Sequence, residues 1–177
     1  NRLSIQEKKT VYCLIWTTTP WTLPANLAIA IHKSYSYSII QSQDNYIIVA
    51  TDLVESLEKA TGISTQSIVA TFSGEILEKL AYQHPFLEKT GQLFHADHVT
   101  LDAGSGLVHT APGHGVDDYH VGKQHQLACY CPVKADGTYD DSVPEPLKGL
   151  SIWDANPLII EMLHKTNSLY FSYEYKH

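Results

Sequence analysis

The segment VYCLIWTTTPWTLPAN, residues 11–26, joins a short apolar run to a loop rich in threonine. Residues 11–15 are β-prone, nearly unbroken in apolar character and too few for a helix, which predicts a buried strand. Pro20 and Pro24 lack a backbone donor and bias the preceding residues away from the α region, so the loop is expected to be irregular. A cluster of hydroxyl groups therefore lies at the end of a core strand.

Beyond this segment, short β-prone runs alternate with amphipathic stretches. Strands are predicted at residues 27–31, 35–41, 46–50, 67–72, 107–108 and 168–175, with a hairpin turn at 42–45 and a loop at 82–95. Helices are predicted from the Thr51-Asp52 cap to Gly62, over residues 116–126 and over residues 156–165, with a helical turn at 75–80. Because strands outnumber helices, we predict one mixed α/β domain over residues 1–177, built on a β-barrel-like core with surrounding helices.

The composition disfavours several classes of protein. Hydrophobic residues make up 44% and charged residues 18%, which indicates a folded chain. The net charge of −7, with Lys8-Lys9 as a basic pair, argues against a free-standing nucleic-acid binder. Three cysteines without a secretory segment favour a reduced, cytoplasmic chain, and no apolar run approaches the roughly 20 residues of a membrane span. The chain begins at Asn1 rather than Met, and its last predicted strand stops in mid-pattern. We therefore interpret both ends as cuts inside a longer protein.

The second candidate site is the glycine-rich stretch GSGLVHTAPGHGVDDY, residues 104–119. Glycine lets a backbone approach a ligand closely and adopt positive φ. Histidines and carboxylates crowd this region and raise the question of a metal site: His109, His114, Asp117, Asp118, His120 and His125. Their spacing matches no familiar zinc pattern, and Cys129-x-Cys131 lacks a second pair, so no metal is predicted.

Two other kinds of site fit this stretch poorly. No Gly-Lys-Ser/Thr follows the glycines, as a phosphate-binding loop requires. Ser105 lies between glycines but lacks the Gly-x-Ser-x-Gly elbow and precedes an apolar strand, which disfavours a serine nucleophile. Taken singly, each histidine reads as a structural residue, threonines also populate strand ends, and Trp21 equally fits a core. The residue types alone leave the function open.

Together the two stretches are more specific. Residues 16–26 resemble the threonine-rich peptide of the editing domain of isoleucyl-tRNA synthetases, and residues 104–119 resemble its glycine-rich partner. Tyr82-Gln-His-Pro-Phe86 and Val133-x-x-Asp-Gly-Thr-Tyr139 match the same pattern, in order along the chain. The valyl and leucyl sister domains carry Thr-Thr-Arg-Pro where this chain has Thr-Thr-Pro-Trp, which favours the isoleucine type. Two departures are Ser105 for the usual Thr and Leu107 for the usual small residue.

The resemblance implies hydrolytic proofreading of valyl-tRNA(Ile), with valyl-adenylate as a further candidate substrate. A pocket for isoleucine rejects valine by one methylene, about 1–3 kcal/mol, so a second pocket that admits valine and hydrolyses its ester supplies the remaining accuracy. In this family Asp118 would hold the substrate's α-ammonium group, the threonines would bond the adenosine, the carbonyl or the attacking water, Trp21 and His109 would exclude isoleucine, and Asn26 would support the loop. The catalytic candidates are Asp118, Thr17, Thr18 and Thr19, and the substrate-binding candidates are Trp21, Thr22, Asn26, His109 and His114.

The resemblance also implies the partners. These are the 3′ end of tRNA(Ile) carrying valine and the remainder of the synthetase in cis, with no membrane and with the protein a monomer. The domain itself needs no cofactor, because ATP, Mg and Zn belong to the rest of the synthetase. An aminoacyl ester is already activated, so water is the expected nucleophile. Two rival interpretations stay open: a non-catalytic module that binds an amino acid or a tRNA end, and a threonine-specific editing domain of the valyl type.

Overall fold

The computed structural model describes residues 10–42, 45–64 and 67–173. Within these ranges the chain forms eight strands, three α-helices and several short 3-10 turns. The strands are β1 (Val11–Cys13), β2 (Ala28–Ile31), β3 (Ser36–Ser42), β4 (Asn45–Ala50), β5 (Ser67–Ser73), β6 (Ala81–Gln83), β7 (Thr90–His95) and β8 (Val108–Thr110), and the helices are α1 (Val54–Thr61), α2 (Val116–Gln124) and α3 (Ile152–Lys165).

The strands form two four-stranded sheets, in the orders β1-β4-β3-β5 and β6-β7-β2-β8. Each sheet is mixed, because β1 runs parallel to β4 and β2 runs parallel to β7, whereas the other pairs are antiparallel. Side chains of both sheets share one buried cluster, and a parallel bridge between Trp16 and Val108 joins the sheets at one edge. The predicted mixed α/β fold around a barrel-like core is confirmed.

Strand β2 is buried on both faces, and this places helix α2. Ile29 and Ile31 point into the cluster shared by the sheets, whereas Ala28 and Ala30 pack in a second cluster with Val121 of α2. The small alanines allow a close approach of the helix. A Cβ on Gly122 would lie only 2.6 Å from a ring carbon of Pro112, so this side of α2 lies directly against the glycine-rich stretch.

Helix α3 packs on the 3-10 turn Pro20–Ala25 through a third cluster that contains Leu23, Tyr139 and Ile159. The prediction that this helix begins at Asn156 is wrong, because it begins at Ile152 with Ser151 as its cap, whose hydroxyl accepts from the Asp154 N–H. Pro157 lies inside the helix, where it cannot donate to the carbonyl of Trp153 four residues earlier. The cap was therefore a better signal than the proline.

Four other predictions need correction. The strand predicted as buried over residues 11–15 covers only Val11–Cys13 and is not buried, with Val11 38% exposed, because β1 lies at the edge of its sheet. The loop predicted at residues 82–95 contains β6 and β7, which pair antiparallel around a turn at Pro85. Helix α2 ends at Gln124, because Gln126 has a φ of 58°. Residues 168–173 are not a strand, and the rest of that predicted strand lies outside the described residues.

The hairpin of β3 and β4 is confirmed by the pairing of Ser42 with Asn45, although the turn residues Gln43 and Asp44 lie outside the described residues. In the described part of the chain, none of the helices combines the length and the apolar character needed to cross a bilayer.

Candidate functional site

A cleft of about 280 Å³ lies where the two motif stretches meet. The threonine loop, residues 16–26, forms one wall, and β8 with the start of α2 forms the other. The cleft is lined by Trp16, Thr17, Thr18, Thr19, Thr22, Val108, His109, His114 and Asp118. Two segments about ninety positions apart in sequence thus share one site, because the bridge from Trp16 to Val108 brings their strands together.

The threonine loop is held by its own hydroxyl groups. Thr17 Oγ1 accepts from the Thr19 N–H at 3.0 Å, and Thr22 Oγ1 donates to the Thr19 carbonyl at 2.9 Å. The Thr18 side chain is exposed and makes no hydrogen bond within the described part of the chain. The loop therefore has a fixed backbone and presents one hydroxyl that is free to bind a ligand.

His109 is buried at the base of the cleft between Asn26 and Thr22. Its Nδ1 lies 2.8 Å from Asn26 Nδ2, and its Nε2 lies 2.9 Å from Thr22 Oγ1. Asn26 Nδ2 also lies 2.9 Å from the Ala28 carbonyl oxygen. A carbonyl oxygen only accepts, so the atom facing it is the amide nitrogen, and His109 Nδ1 must accept as well.

The tautomer of His109 follows from this arrangement. With Nδ1 as an acceptor, the neutral ring carries its proton on Nε2 and donates it to Thr22 Oγ1, whose own proton goes to the Thr19 carbonyl. Burial is the largest of the causes that lower the pKa of His109 to about 3, and the neighbouring His84 and His114 contribute in the same direction. His109 is thus a neutral N–H donor at physiological pH and has no free lone pair for general base catalysis.

Asp118 lies on the opposite wall, in the first turn of α2. Its Oδ2 accepts from the Ala111 N–H at 2.9 Å, whereas its Oδ1 has no hydrogen-bond partner among the described residues. Burial raises the pKa of the carboxyl group, and the hydrogen bond from Ala111 and the nearby His98 oppose that rise. The carboxylate is therefore oriented by one oxygen and free to bind a cation with the other.

Two further histidines near Asp118 carry unsatisfied atoms. Nε2 of His114 and Nε2 of His98 are buried without a hydrogen-bond partner in the described residues. Burial lowers the pKa of His114, against the effect of the Asp118 charge. Buried polar atoms without a partner are unusual in folded proteins, and of these two rings His114 lines the cleft.

The other predicted site residues lie behind the cleft. The Trp21 ring packs edge-on against His114, with centroids 5.3 Å apart, and its backbone bonds Asn156 and Tyr139. Asn26 is buried and contacts His109 from the side away from the cleft lining. Seven of the nine predicted residues therefore line the cleft, and Trp21 and Asn26 support residues that do.

Sequence reasoning missed four residues of this region. Trp16 and Val108 line the cleft, His98 lies near Asp118, and Tyr82 donates from its hydroxyl to Asn26 Oδ1. The match of residues 82–86 to the family pattern was the signal for Tyr82. Nothing in the local sequence marks His98, whose place depends on the packing of the turn after β7.

Among the residues that the structure describes, one grouping could hold a metal ion, and it lies outside the cleft. It consists of His32, His95 and Asp97 at the ends of β2 and β7. Nδ1 of each ring accepts a backbone N–H at 3.3 Å, so each neutral ring carries its proton on Nε2, and His95 directs that proton toward Asp97 at 3.1 Å. Hydrogen bonding therefore accounts for the approach of His95 to Asp97.

The chain matches known proteins over nearly its whole length, although no protein-family model matches it. The isoleucine–tRNA ligase of Persephonella marina is 41% identical over 170 residues, which are 96% of this chain and 18% of that protein. The isoleucine–tRNA ligase of Brevibacillus brevis is 44% identical over 168 residues, or 93% of this chain and 18% of that protein. The chain thus spans less than a fifth of the length of these relatives.

Solved structures of leucyl-tRNA synthetase domains share the fold. GlLeuRS-CP1 superposes with a TM-score of 0.73 at 15% identity, covering 95% of this chain and 86% of that chain. The editing domain of the P. knowlesi cytosolic leucyl-tRNA synthetase superposes with a TM-score of 0.66 at 13% identity, covering 90% and 83%. Nearly the whole chain is thus homologous to a segment of isoleucine–tRNA ligases, and it has the fold of the CP1 editing domain of tRNA synthetases.

Proposed function

We propose that the chain hydrolyses the ester bond of valyl-tRNA(Ile), with water as the nucleophile. The observation that carries the proposal is the cleft, in which a free carboxylate oxygen on one wall faces threonine hydroxyls on the other. A valyl ester presents an ammonium group, a carbonyl oxygen and ribose hydroxyls, and these are the groups that carboxylates and hydroxyls bind. Its isoleucine–tRNA ligase relatives favour isoleucine tRNA as the partner and the remainder of such an enzyme as its setting.

Asp118 binds the α-ammonium group of the substrate. The hydrogen bond from the Ala111 N–H holds Oδ2 and leaves Oδ1 to accept a charge-assisted hydrogen bond. The partial burial that raises the pKa of the carboxyl group also strengthens its attraction for a cation, because less water screens the pair. This contact fixes the ester carbonyl relative to the threonine loop.

The threonine loop binds the reacting end of the substrate. Thr18 offers a hydroxyl without a partner among the described residues, and Thr17 and Thr19 lie beside it on the lining of the cleft. These groups bond the ester carbonyl, the terminal ribose or the attacking water. Because neutral His109 has no lone pair to accept a proton, rate enhancement comes from orientation and from stabilisation of the oxyanion.

Size selection uses the walls of the same cleft. His109 is held rigidly by two hydrogen bonds, and the Trp21 ring packs edge-on against His114. A rigid wall rejects the additional methylene of isoleucine, which is worth about 1–3 kcal/mol in a hydrophobic pocket. We therefore expect valine to enter and isoleucine to be excluded.

Deacylation assays test the proposal most simply in a full-length enzyme. This chain replaces the matching segment of the Brevibacillus brevis isoleucine–tRNA ligase, and hydrolysis of valyl-tRNA(Ile), isoleucyl-tRNA(Ile) and threonyl-tRNA(Val) is followed. We expect rapid loss of valine alone. Preferential loss of threonine would indicate a valyl-type specificity, and binding of the tRNA end without hydrolysis would indicate a non-catalytic module; both results would refute the proposal.

A further inference from the structure

The Tyr82 ring packs against the backbone at position 91, where only glycine leaves room for it. It lies on β6 opposite Gly91 of β7 in the antiparallel register. A Cβ on Gly91 would overlap the phenol oxygen and would lie 2.7 Å from ring atom Cε1, so the Tyr82 ring lies directly across the bare Cα. Any larger residue at position 91 would push the ring away.

This packing on Gly91 directs the Tyr82 hydroxyl at Asn26. The phenol donates to Asn26 Oδ1, and burial raises the pKa of Tyr82 well above its usual range, so the group stays protonated and remains a donor. Asn26 is itself buried, and its amide nitrogen donates one hydrogen to the Ala28 carbonyl and the other to His109 Nδ1. Every hydrogen-bonding group of the Asn26 side chain is thereby satisfied.

The direction of these bonds decides the protonation of His109. If the Asn26 amide were turned over, its oxygen would face the Ala28 carbonyl and its nitrogen would face the Tyr82 hydroxyl. Two acceptors would then oppose one another at Ala28, and the Tyr82 hydroxyl would have to accept from the amide nitrogen and would lose Asn26 Oδ1 as the acceptor for its own proton. Tyr82 imposes one of these two penalties, so its removal makes the reversed arrangement, with Nδ1–H on His109, less unfavourable.

We propose that Tyr82, seated on Gly91, is a positioning residue that keeps His109 in its Nε2–H tautomer through Asn26. His109 then donates to Thr22, which donates to the Thr19 carbonyl, so the phenol on β6 controls the backbone of the threonine loop. The consequence for catalysis rests on the proposed function. The consequence for the tautomer does not, and it is measured on the chain without tRNA.

Nitrogen NMR of histidine-labelled protein reads the tautomer directly. We expect His109 to give the Nε2–H pattern alone in the wild-type chain and to show a second, Nδ1–H population in Tyr82→Phe. Asn26→Asp provides the full reversal, because a carboxylate has no N–H to donate to Nδ1. His84 is the internal control: its Nδ1 accepts from Phe86 and Leu87 and its Nε2 donates to Leu23, so its signals stay unchanged. An unaltered His109 spectrum in Tyr82→Phe would overturn the proposal.

Kinetics in the chimeric ligase give the second readout. Tyr82→Phe, which keeps the ring, and Gly91→Ala, which keeps the hydroxyl but moves it, are each expected to lower kcat for valyl-tRNA(Ile) deacylation about tenfold with KM changed less than twofold. Gln92→Ala is the matched control, since Gln92 is the exposed neighbour in the same register and pairs with Ala81. Wild-type kcat in Tyr82→Phe would contradict the positioning role. An inactive wild-type chimera would instead refute the proposed function and leave the NMR result to decide this inference.

Discussion

The two walls of the cleft differ in how far their polar groups are satisfied. On the wall of the threonine loop, Thr22 and Asn26 both bond His109 at the base of the cleft, and Thr22 also bonds the Thr19 carbonyl, so these groups form an unbroken sequence. On the opposite wall, Asp118 Oδ1 has no partner in the described residues, and a ring nitrogen of His114 is buried and unbonded. One wall is complete without a ligand, and the other is not.

This contrast indicates that the two walls of the cleft have different roles. A satisfied network holds its members in one geometry, which suits a wall that must select by shape and hold a loop. Unsatisfied groups retain their capacity to bind, which suits the wall that grips a charged substrate. Substitutions on the open wall should therefore affect activity more than stability, whereas substitutions in the satisfied network should affect both.

Asp118→Ala should give the largest effect, a loss of valyl-tRNA(Ile) deacylation of about 100-fold or more, because the substrate loses its positioning contact. The free energy of unfolding should fall by about 1–3 kcal/mol, since the N–H of buried Ala111 loses its acceptor. Asp117→Ala is the matched control, because Asp117 lies on the same helical turn but is exposed and does not line the cleft. Equal losses in the two variants would contradict the assignment of Asp118.

Two buried histidines, His109 and His84, should make the free energy of unfolding fall in acid. Burial lowers the pKa of His109 to about 3 and that of His84 to about 4, so both stay neutral in the folded protein where unfolded histidine, with a pKa near 6.5, takes up protons. Their stabilisation is complete above about pH 6.5 and is lost as pH falls toward these values, by about 1.4 kcal/mol per pH unit for each histidine. Denaturant unfolding at pH 7, 6 and 5 measures this decline. His109→Gln and His84→Gln should each flatten it, and an unchanged slope would count against the burial of the ring concerned.

Two isosteric substitutions compare the effects of removing a hydrogen-bonded and an unbonded threonine hydroxyl from the same loop. Thr22→Val leaves the His109 Nε2–H without an acceptor and should cost about 1–3 kcal/mol of stability, along with activity. Thr18→Val removes a hydroxyl that has no partner in the part of the chain that the structure describes, and it should lower activity with little change in stability. Thermal unfolding and deacylation rates of the two variants check this, and similar stability losses would remove the distinction between bonded and unbonded threonines.

The sequence predicted more of the cleft than of the framework behind it. The threonine loop and the glycine-rich stretch are contiguous motifs, so their side chains could be named from the resemblance, and the structure brings Thr17, His109 and Asp118 together. No local pattern of residues encodes the contact between segments about ninety positions apart, so the residues of one site could be named together only from the resemblance. The strands around Tyr82 were missed because β6 has three residues and a proline turn follows it.

The bonds of His109 were also beyond sequence reasoning. Its partners Asn26 and Thr22 lie more than eighty positions away, and the tautomer depends on the carbonyl of Ala28. Such a network exists only after the strands pair, so composition and spacing carry no trace of it. The start of α3, in contrast, was recoverable, because Ser151 and Asp154 form a cap that the prediction passed over in favour of Pro157.

The central claim is that Asp118 holds the ammonium group of a valyl ester. It is tested most directly by replacing that ammonium with a hydroxyl, in tRNA(Ile) esterified with 2-hydroxy-3-methylbutanoic acid, and measuring hydrolysis by wild-type and Asp118→Ala chimeric enzymes. We expect the hydroxy ester to react slowly with the wild-type enzyme and equally slowly with the variant, because the contact is already absent. A further loss in Asp118→Ala as large as the loss seen with valyl-tRNA(Ile) would show that Asp118 acts on something other than the ammonium group.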